Sequence, residues 1–353
     1  MFFIKIGVKN AYEVDRYKIS RNFVHLLLKE MDLKNITYPI QDYIDLFDKR
    51  FSECISLEGF FVDDITKYIL EKGGKKVRPI LTFLAAKVAG GITSQTIRCA
   101  LILELLHAAS LVHDDVIDES EKRRGNDTVN IRWGNNIAVL FGDYLYGKCL
   151  EFIETESDFK LLPIFAKVGK ELPLGELLEK NVSEELDYSE DSYFKVIEKK
   201  TAALLEVSTE LGAMSAGGDT ETIISLKAFG FYTGLAFQVR DDILDFSPEY
   251  ITGKPFGNDI KEKKITLPLI YLLNDLSEKE RDEVLSFINQ DNKKDKDILA
   301  LIKKVEVGGY LEKAEEKVLS FCHLAEIQLG GFKESESKKS LIELLYLLAN
   351  RIS

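Results

Sequence analysis

"LILELLHAASLVHDDVIDESEKRRG", residues 101–125, ends an apolar run with three carboxylates, Asp114, Asp115 and Asp118. Leu and Ala recur there at three- and four-residue steps. That period is helical, and the run is too apolar for a surface helix. The pattern is written again in "FQVRDDILDF", residues 237–246, with Asp241, Asp242 and Asp245. Residues four apart share a helix face, so Asp114 points with Asp118 and Asp241 with Asp245. Asp115 and Asp242 lie about 100° around. Carboxylates this close repel and raise one another's pKa unless cations intervene. Carboxylate-only ligands suit hard divalent ions, Mg²⁺ above all.

The surrounding sequence is of one kind. From residue 40 onward helical periodicity dominates, as in "NNIAVLFGDYLYGKCLEFIE" (135–154), "YFKVIEKKTAALLEVSTELGAMSA" (193–216) and "TIISLKAFGFYTGLAFQVRDDILDF" (222–246). Turn-like breaks fall at Gly73-Gly74, Gly90-Gly91, Arg124-Gly125-Asn126, Gly217-Gly218-Asp219 and 248–259. No alternation persists long enough for a sheet, and no linker divides the chain. The expectation is an all-α, single-domain helical bundle around a central cavity. Seven prolines in 353 residues agree with long helices, since a proline inside one costs about 3 kcal/mol.

Composition excludes several classes. A net charge of −12 argues against a nucleic-acid binder. Cys54, Cys99, Cys149 and Cys322 are far apart and show no ligand spacing, as reduced thiols of a cytoplasmic protein would. No apolar run approaches a membrane span of about 18 residues. Residues 1–30 are net basic, unlike the acidic whole, and Met31 is an alternative start. We therefore divide the chain into an N-terminal extension, 1–39, and a catalytic domain, 40–353.

Two facing acidic helices would hold Mg²⁺ between them, and Mg²⁺ commonly bridges carboxylates to phosphate oxygens. Basic residues near the motifs fit that ligand: Arg123 and Arg124 after the first, Lys75 and Arg78 in "GGKKVRP" (73–79), then Lys200-Thr201, Lys254 and Lys264. Each alone has a plain reading. A single DDxxD is a solvated face, "RRG" a helix end, "GGKKVRP" a turn and His107 a core histidine. Two DDxxD motifs, each embedded in an apolar helix, are hard to read that way.

In this order the elements resemble the trans-isoprenyl diphosphate synthases, or polyprenyl synthases, from about residue 40 to the C-terminus. The resemblance rests on "GGKKVRP", "DDVID" followed by "RRG", "FGDYLY" (141–146), "KKTA" (199–202), "FQVRDDILDF" and "TGKPFGNDIKEKKITLPLI" (252–270). It is strongest to the medium- and long-chain enzymes. It implies head-to-tail condensation of isopentenyl diphosphate with an allylic diphosphate such as farnesyl diphosphate, by a homodimer. Mg²⁺, three per active site, is the implied cofactor.

Residue by residue, the resemblance makes Asp114, Asp118 and Asp241 the main metal ligands, supported by Asp115, Asp242 and Asp245. Arg123, Lys200 and Lys264 would grip the allylic diphosphate, with Lys254 nearby. Lys75, Arg78, His107 and Arg124 would grip isopentenyl diphosphate. Thr201 and Gln238 would lie near the allylic cation, and Arg351 would close over the site. Asp114, Asp115, Asp118, Lys200, Thr201, Gln238 and Asp241 form the expected catalytic set. In "LGELLEK" (174–180), Glu179 stands where the family has glutamine or aspartate; we read it as a surface change. Ala109 and Ser110, about one turn before Asp114, and Leu106, about one turn further, are the expected chain-length positions. The small side chains at 109 and 110 predict a tunnel open at that level and a product of about thirty to forty carbons, set deeper than one helical turn. Alternatives are a farnesyl or geranylgeranyl diphosphate synthase, a class I terpene cyclase, a head-to-head synthase, and a non-catalytic subunit of a heteromeric synthase.

Overall fold

The computed structural model describes residues 32–56, 62–71, 74–123, 125–153, 160–247 and 256–350. The basic stretch 1–30, Met31, Arg124, Lys254 and Arg351 lie outside the described residues. Helices dominate, and the only strands among the described residues pair Lys122–Arg123 with Asn126–Asp127. The all-α expectation holds.

The chain enters through α1 (Leu33–Thr37), a 3₁₀ turn (Tyr38–Ile40), α2 (Gln41–Ile55) and α3 (Val62–Glu71). Ile36 and Ile40 are fully buried in the common core, so the packed body reaches N-terminal of residue 40. Next come α4 (Val77–Ala89), α5 (Ser94–Ile117), the two-stranded ribbon, α6 (Val129–Trp133), α7 (Asn135–Glu151) and α8 (Leu162–Glu185). Then α9 (Glu190–Ile197) runs through a π-helical turn (Glu198–Ala202) into α10 (Ala203–Ser215) and α11 (Thr220–Asp245). The remainder is α12 (Asn258–Lys261), α13 (Leu267–Asp275), α14 (Glu278–Ile288), α15 (Asp295–Val307), α16 (Tyr310–Gln328) and α17 (Glu336–Ala349).

The two acidic motifs end the two longest core helices of the first and second halves. α5 begins with a capping box in which Thr93 and Thr96 satisfy each other's backbone amides. α11 begins at Asp219, whose carboxylate accepts from the Thr222 amide at 2.8 Å. Each cap contributes about 1 kcal/mol and fixes the register in which the helix runs. Both helices therefore deliver their carboxylates at the C-terminal end, where the helix dipole is already negative. That placement costs stability unless a cation answers it.

By length and composition α5 does match a membrane span, contrary to the sequence expectation. It is instead a core helix, with 61% of its most apolar window buried. Leu101, Leu103, Leu105 and Ala109 are almost completely buried against the helices around it. α10 is buried over most of its length and packs against α4, α5 and α11.

Candidate active site

The first motif lies at the end of α5, with Asp118 as the C-cap residue. Asp115 is buried and accepts from the Arg123 guanidinium (Nε to Oδ1, 2.8 Å). The short ribbon that carries Arg123 is held by Tyr68, whose hydroxyl donates to the Asp127 carbonyl at 2.6 Å. So Asp115 turns Arg123 back over the motif. Asp114 is half-buried and titrates at about 7: desolvation raises it most, with Glu176 and Asp118 adding repulsion and Lys200 opposing.

The second motif closes α11. Asp242 is buried and takes two short hydrogen bonds, from the Tyr193 hydroxyl at 2.6 Å and the Gln238 amide at 2.8 Å. Gln238 in turn accepts from the Thr201 hydroxyl at 2.6 Å. Thr201, Gln238, Asp242 and Tyr193 thus form one continuous chain of hydrogen bonds. Burial pushes Asp242 up to about 7 despite these donors. Asp245 accepts from the backbone amides of Asn258 and Asp259, at 2.9 and 3.1 Å, and clasps the start of α12. Burial lifts it to about 6. Asp259 behind it is driven well above the carboxylate range by desolvation and by Asp245.

Between the motifs run two lysines and three glutamates. Lys200 Nζ lies 2.8 Å from Glu179 and 3.0 Å from Glu176. Lys264 Nζ lies 3.6 Å from Glu179 and 2.6 Å from Glu262. The result is an unbroken electrostatic array: Asp114, Glu176, Lys200, Glu179 and Lys264, reaching Asp259 and the second motif. Glu179 is therefore not a surface change. Two ammonium groups held close together need an anion between them, and Glu179 supplies it.

The π-helical turn aims this array. It carries Lys200 and Thr201 and is clamped by glycines of two helices. A Cβ on Gly175 of α8 would meet the Lys200 amide nitrogen at 2.8 Å, and one on Gly234 of α11 would meet Ala202 Cα at 2.5 Å. Only glycine allows so close an approach. Gly234, Gln238, Asp242 and Asp245 follow at helical spacing, so one face of α11 serves both the clamp and the motif.

The other expected residues are placed as follows. Lys75 is exposed just before α4, Arg78 is half-buried in its first turn, and His107 is half-buried on α5 two turns before Asp114. Ala109 and Leu106 are buried, and the Ser110 hydroxyl is bonded back to the His107 carbonyl at 2.9 Å. Two residues missed from sequence complete the site. Glu176 could have been found, because it lies three before Glu179 on a helix. Tyr193 carried no signal, since only the fold brings α9 to the end of α11.

The donor set bears on metal binding. Among the described residues no three acidic, histidine or cysteine groups are gathered tightly enough to enclose an ion by themselves. Asp115, Asp242 and Asp245 spend oxygens on Arg123, on Tyr193 and Gln238, and on backbone amides. Mg²⁺ is commonly held by one or two carboxylates with phosphate and water completing the shell. Asp114, Asp118 and Asp241 fit that mode.

Comparison with known proteins places this architecture. The chain is 34% identical to the short chain isoprenyl diphosphate synthase of Methanothermobacter thermautotrophicus, over 86% of this chain and 94% of the relative. It is 36% identical to the octaprenyl diphosphate synthase of Haemophilus influenzae, over 80% and 86%. A crystal structure of a polyprenyl synthase from Caulobacter crescentus, complexed with calcium and isoprenyl diphosphate, superposes with a TM-score of 0.85 at 27% identity, covering 91% of this chain and 98% of that one. Residues 61–305, which span both acidic helices and the lysine–glutamate array, match the polyprenyl synthetase family, and the chain belongs to it as a prenyltransferase.

Proposed function

We propose that the chain condenses an allylic diphosphate such as farnesyl diphosphate with isopentenyl diphosphate, head to tail, in the presence of Mg²⁺. The product would be a trans-polyprenyl diphosphate of about thirty to forty carbons, because the small side chains at 109 and 110 leave room for a longer tail about one helical turn below the carboxylates. The observation that carries the reading is the array of Lys200 and Lys264 between two carboxylate-bearing helix ends. It places two ammonium groups where a diphosphate would bridge.

Lys200, Lys264 and Arg123 would hold the allylic diphosphate. Mg²⁺, on Asp114, Asp118 and Asp241, would neutralise that group and make it a better leaving group; three ions per site is the count we propose. The allylic carbon–oxygen bond breaks and its electron pair leaves with the diphosphate. The double bond of isopentenyl diphosphate, held by Lys75, Arg78 and His107, then forms the new carbon–carbon bond. Loss of a proton restores a double bond. Thr201 and Gln238 would face the allylic cation, their oxygens oriented by Asp242 and Tyr193. The apolar helices keep water from trapping the cation.

Ile131, Val139, Leu140 and Leu150 are exposed apolar residues on α6 and α7. They support a homodimer through these two helices. The deciding experiment incubates the purified chain with Mg²⁺, labelled isopentenyl diphosphate and farnesyl diphosphate, followed by product chromatography. A ladder ending at longer prenyl diphosphates is expected. No labelled product sinks the proposal, and a labelled product only one isoprene unit longer than the primer sinks the chain length. Asp114→Ala or Asp241→Ala should cut turnover by orders of magnitude without unfolding the chain.

A further inference from the structure

The proposed diphosphate pocket already contains an anion. Lys200 sits between Glu176 and Glu179, and Lys264 between Glu179 and Glu262. Among the described residues, Glu179 is the carboxylate these two lysines share. It is on α8, three residues after Glu176 and four after Gly175, so the glycine contact that seats α8 on the π-helical turn also brings Glu179 to Lys200. Its side chain is only 22% exposed, so the pairs are weakly screened by water. Desolvation pushes its carboxyl up, yet Lys200 and Lys264 together hold it below the usual range, so it is ionised at neutral pH.

An ammonium group has three N–H donors. Lys200 already meets two carboxylates and so does Lys264. Each lysine therefore keeps one N–H uncommitted, and a diphosphate that takes more than one contact from each must take the donors that face Glu179. Glu179 differs from Glu176 in this respect. Among the described residues Glu176 pairs with Lys200 and not with Lys264, and it lies near Asp114, at the metal-binding end.

We propose that Glu179 is a built-in competitor for the allylic diphosphate: its carboxylate keeps Lys200 and Lys264 together and charged in the free protein, and the substrate must displace it. This rests on the diphosphate reading of the site. Glu179 is then a specificity-determining residue. It lowers affinity at the allylic pocket, weakens retention of a diphosphate left there after reaction, and leaves the isopentenyl pocket untouched.

The test uses the full chain and inorganic pyrophosphate with Mg²⁺ as the probe. Calorimetry measures its Kd for the native protein and for Glu179→Gln, and steady-state kinetics measures KM for farnesyl and isopentenyl diphosphates. The glutamine variant should bind pyrophosphate about ten- to a hundredfold tighter, the scale of one charge-assisted contact set free. KM for the allylic substrate should fall by a similar factor, and KM for isopentenyl diphosphate should stay constant. A merely structural role would not divide the two constants. Glu179→Asp, which keeps the charge but retracts it by one methylene, should shift in the same direction by less. It carries the test if the glutamine variant does not fold. Unchanged or weaker pyrophosphate binding in the folded variants, or equal changes in both KM values, overturns the proposal. Absence of pyrophosphate binding in the native chain instead overturns the diphosphate reading on which it rests.

Discussion

Gly234→Ala adds one methyl group at the point where α11 clamps the π-helical turn. The new Cβ would lie 2.5 Å from Ala202 Cα and 2.9 Å from Ala202 Cβ, where ordinary contact begins at 3.4 Å. The turn must retreat by about 0.9 Å, the difference between 3.4 and 2.5 Å. Overpacking of this kind costs about 1–3 kcal/mol. Alanine's better helix propensity returns up to about 1 kcal/mol of that, which leaves a net cost of up to about 2 kcal/mol. The functional effect should be larger, because Lys200 and Thr201 move with the turn. A misplacement of about 1 Å can cost on the order of a hundredfold in rate. We therefore expect kcat to fall about ten- to a hundredfold, beside a lower melting temperature that leaves the chain folded at the assay temperature. Thr201 should also lose its short hydrogen bond to Gln238. The assay is incorporation of labelled isopentenyl diphosphate under saturating substrates, beside a thermal melt. Gly169→Ala, on α8 with open space around the added Cβ, is the matched control and should keep full activity. A Gly234→Ala variant with native kcat would refute the clamp and the idea that it aims Lys200.

Three further outcomes follow from the same geometry. Lys75→Ala and Arg78→Ala should raise KM for isopentenyl diphosphate about ten- to a hundredfold, and Lys200→Ala should raise that of the allylic substrate, from the value of a charge-assisted contact; equal effects on both substrates in all three variants would dissolve the two-pocket division. Ala109→Phe should shorten the product to about fifteen or twenty carbons by filling the level about one helical turn before Asp114, and an unchanged product ladder would show that this level does not set length. Asp114 and Asp242 titrate at about 7 and Asp245 at about 6, all raised first by burial. The fold binds their protons more tightly than the unfolded chain does, so metal-free stability should fall as pH rises from about 4 to about 7, and Mg²⁺ with pyrophosphate should flatten that slope. A metal-free melting temperature that climbs across the window, with no reduction of slope in Asp242→Asn, would contradict this.

How much was legible beforehand depends on the range over which each feature is encoded. Helical period is local, so the apolar runs of α5, α10 and α11 determined an all-α chain without any contact being known. The pairing of Asp114 with Asp118 and of Asp241 with Asp245 is also local, being fixed by the turn of one helix. Ionic partners are not local. Sequence could name Lys200, Lys264 and Glu179 but could not bring them together, and Glu179 was misjudged as a surface residue for that reason. Likewise Tyr193 became part of the site only when α9 packed beside the end of α11. The π-helical turn at Glu198–Ala202 had no compositional mark, because its close approach depends on glycines 175 and 234 of two other helices. Sequence by itself determined which groups carry charge and which face of its own helix each one occupies. Tertiary packing decided which charges meet, since burial and desolvation, which set those interactions, exist only once the helices have come together.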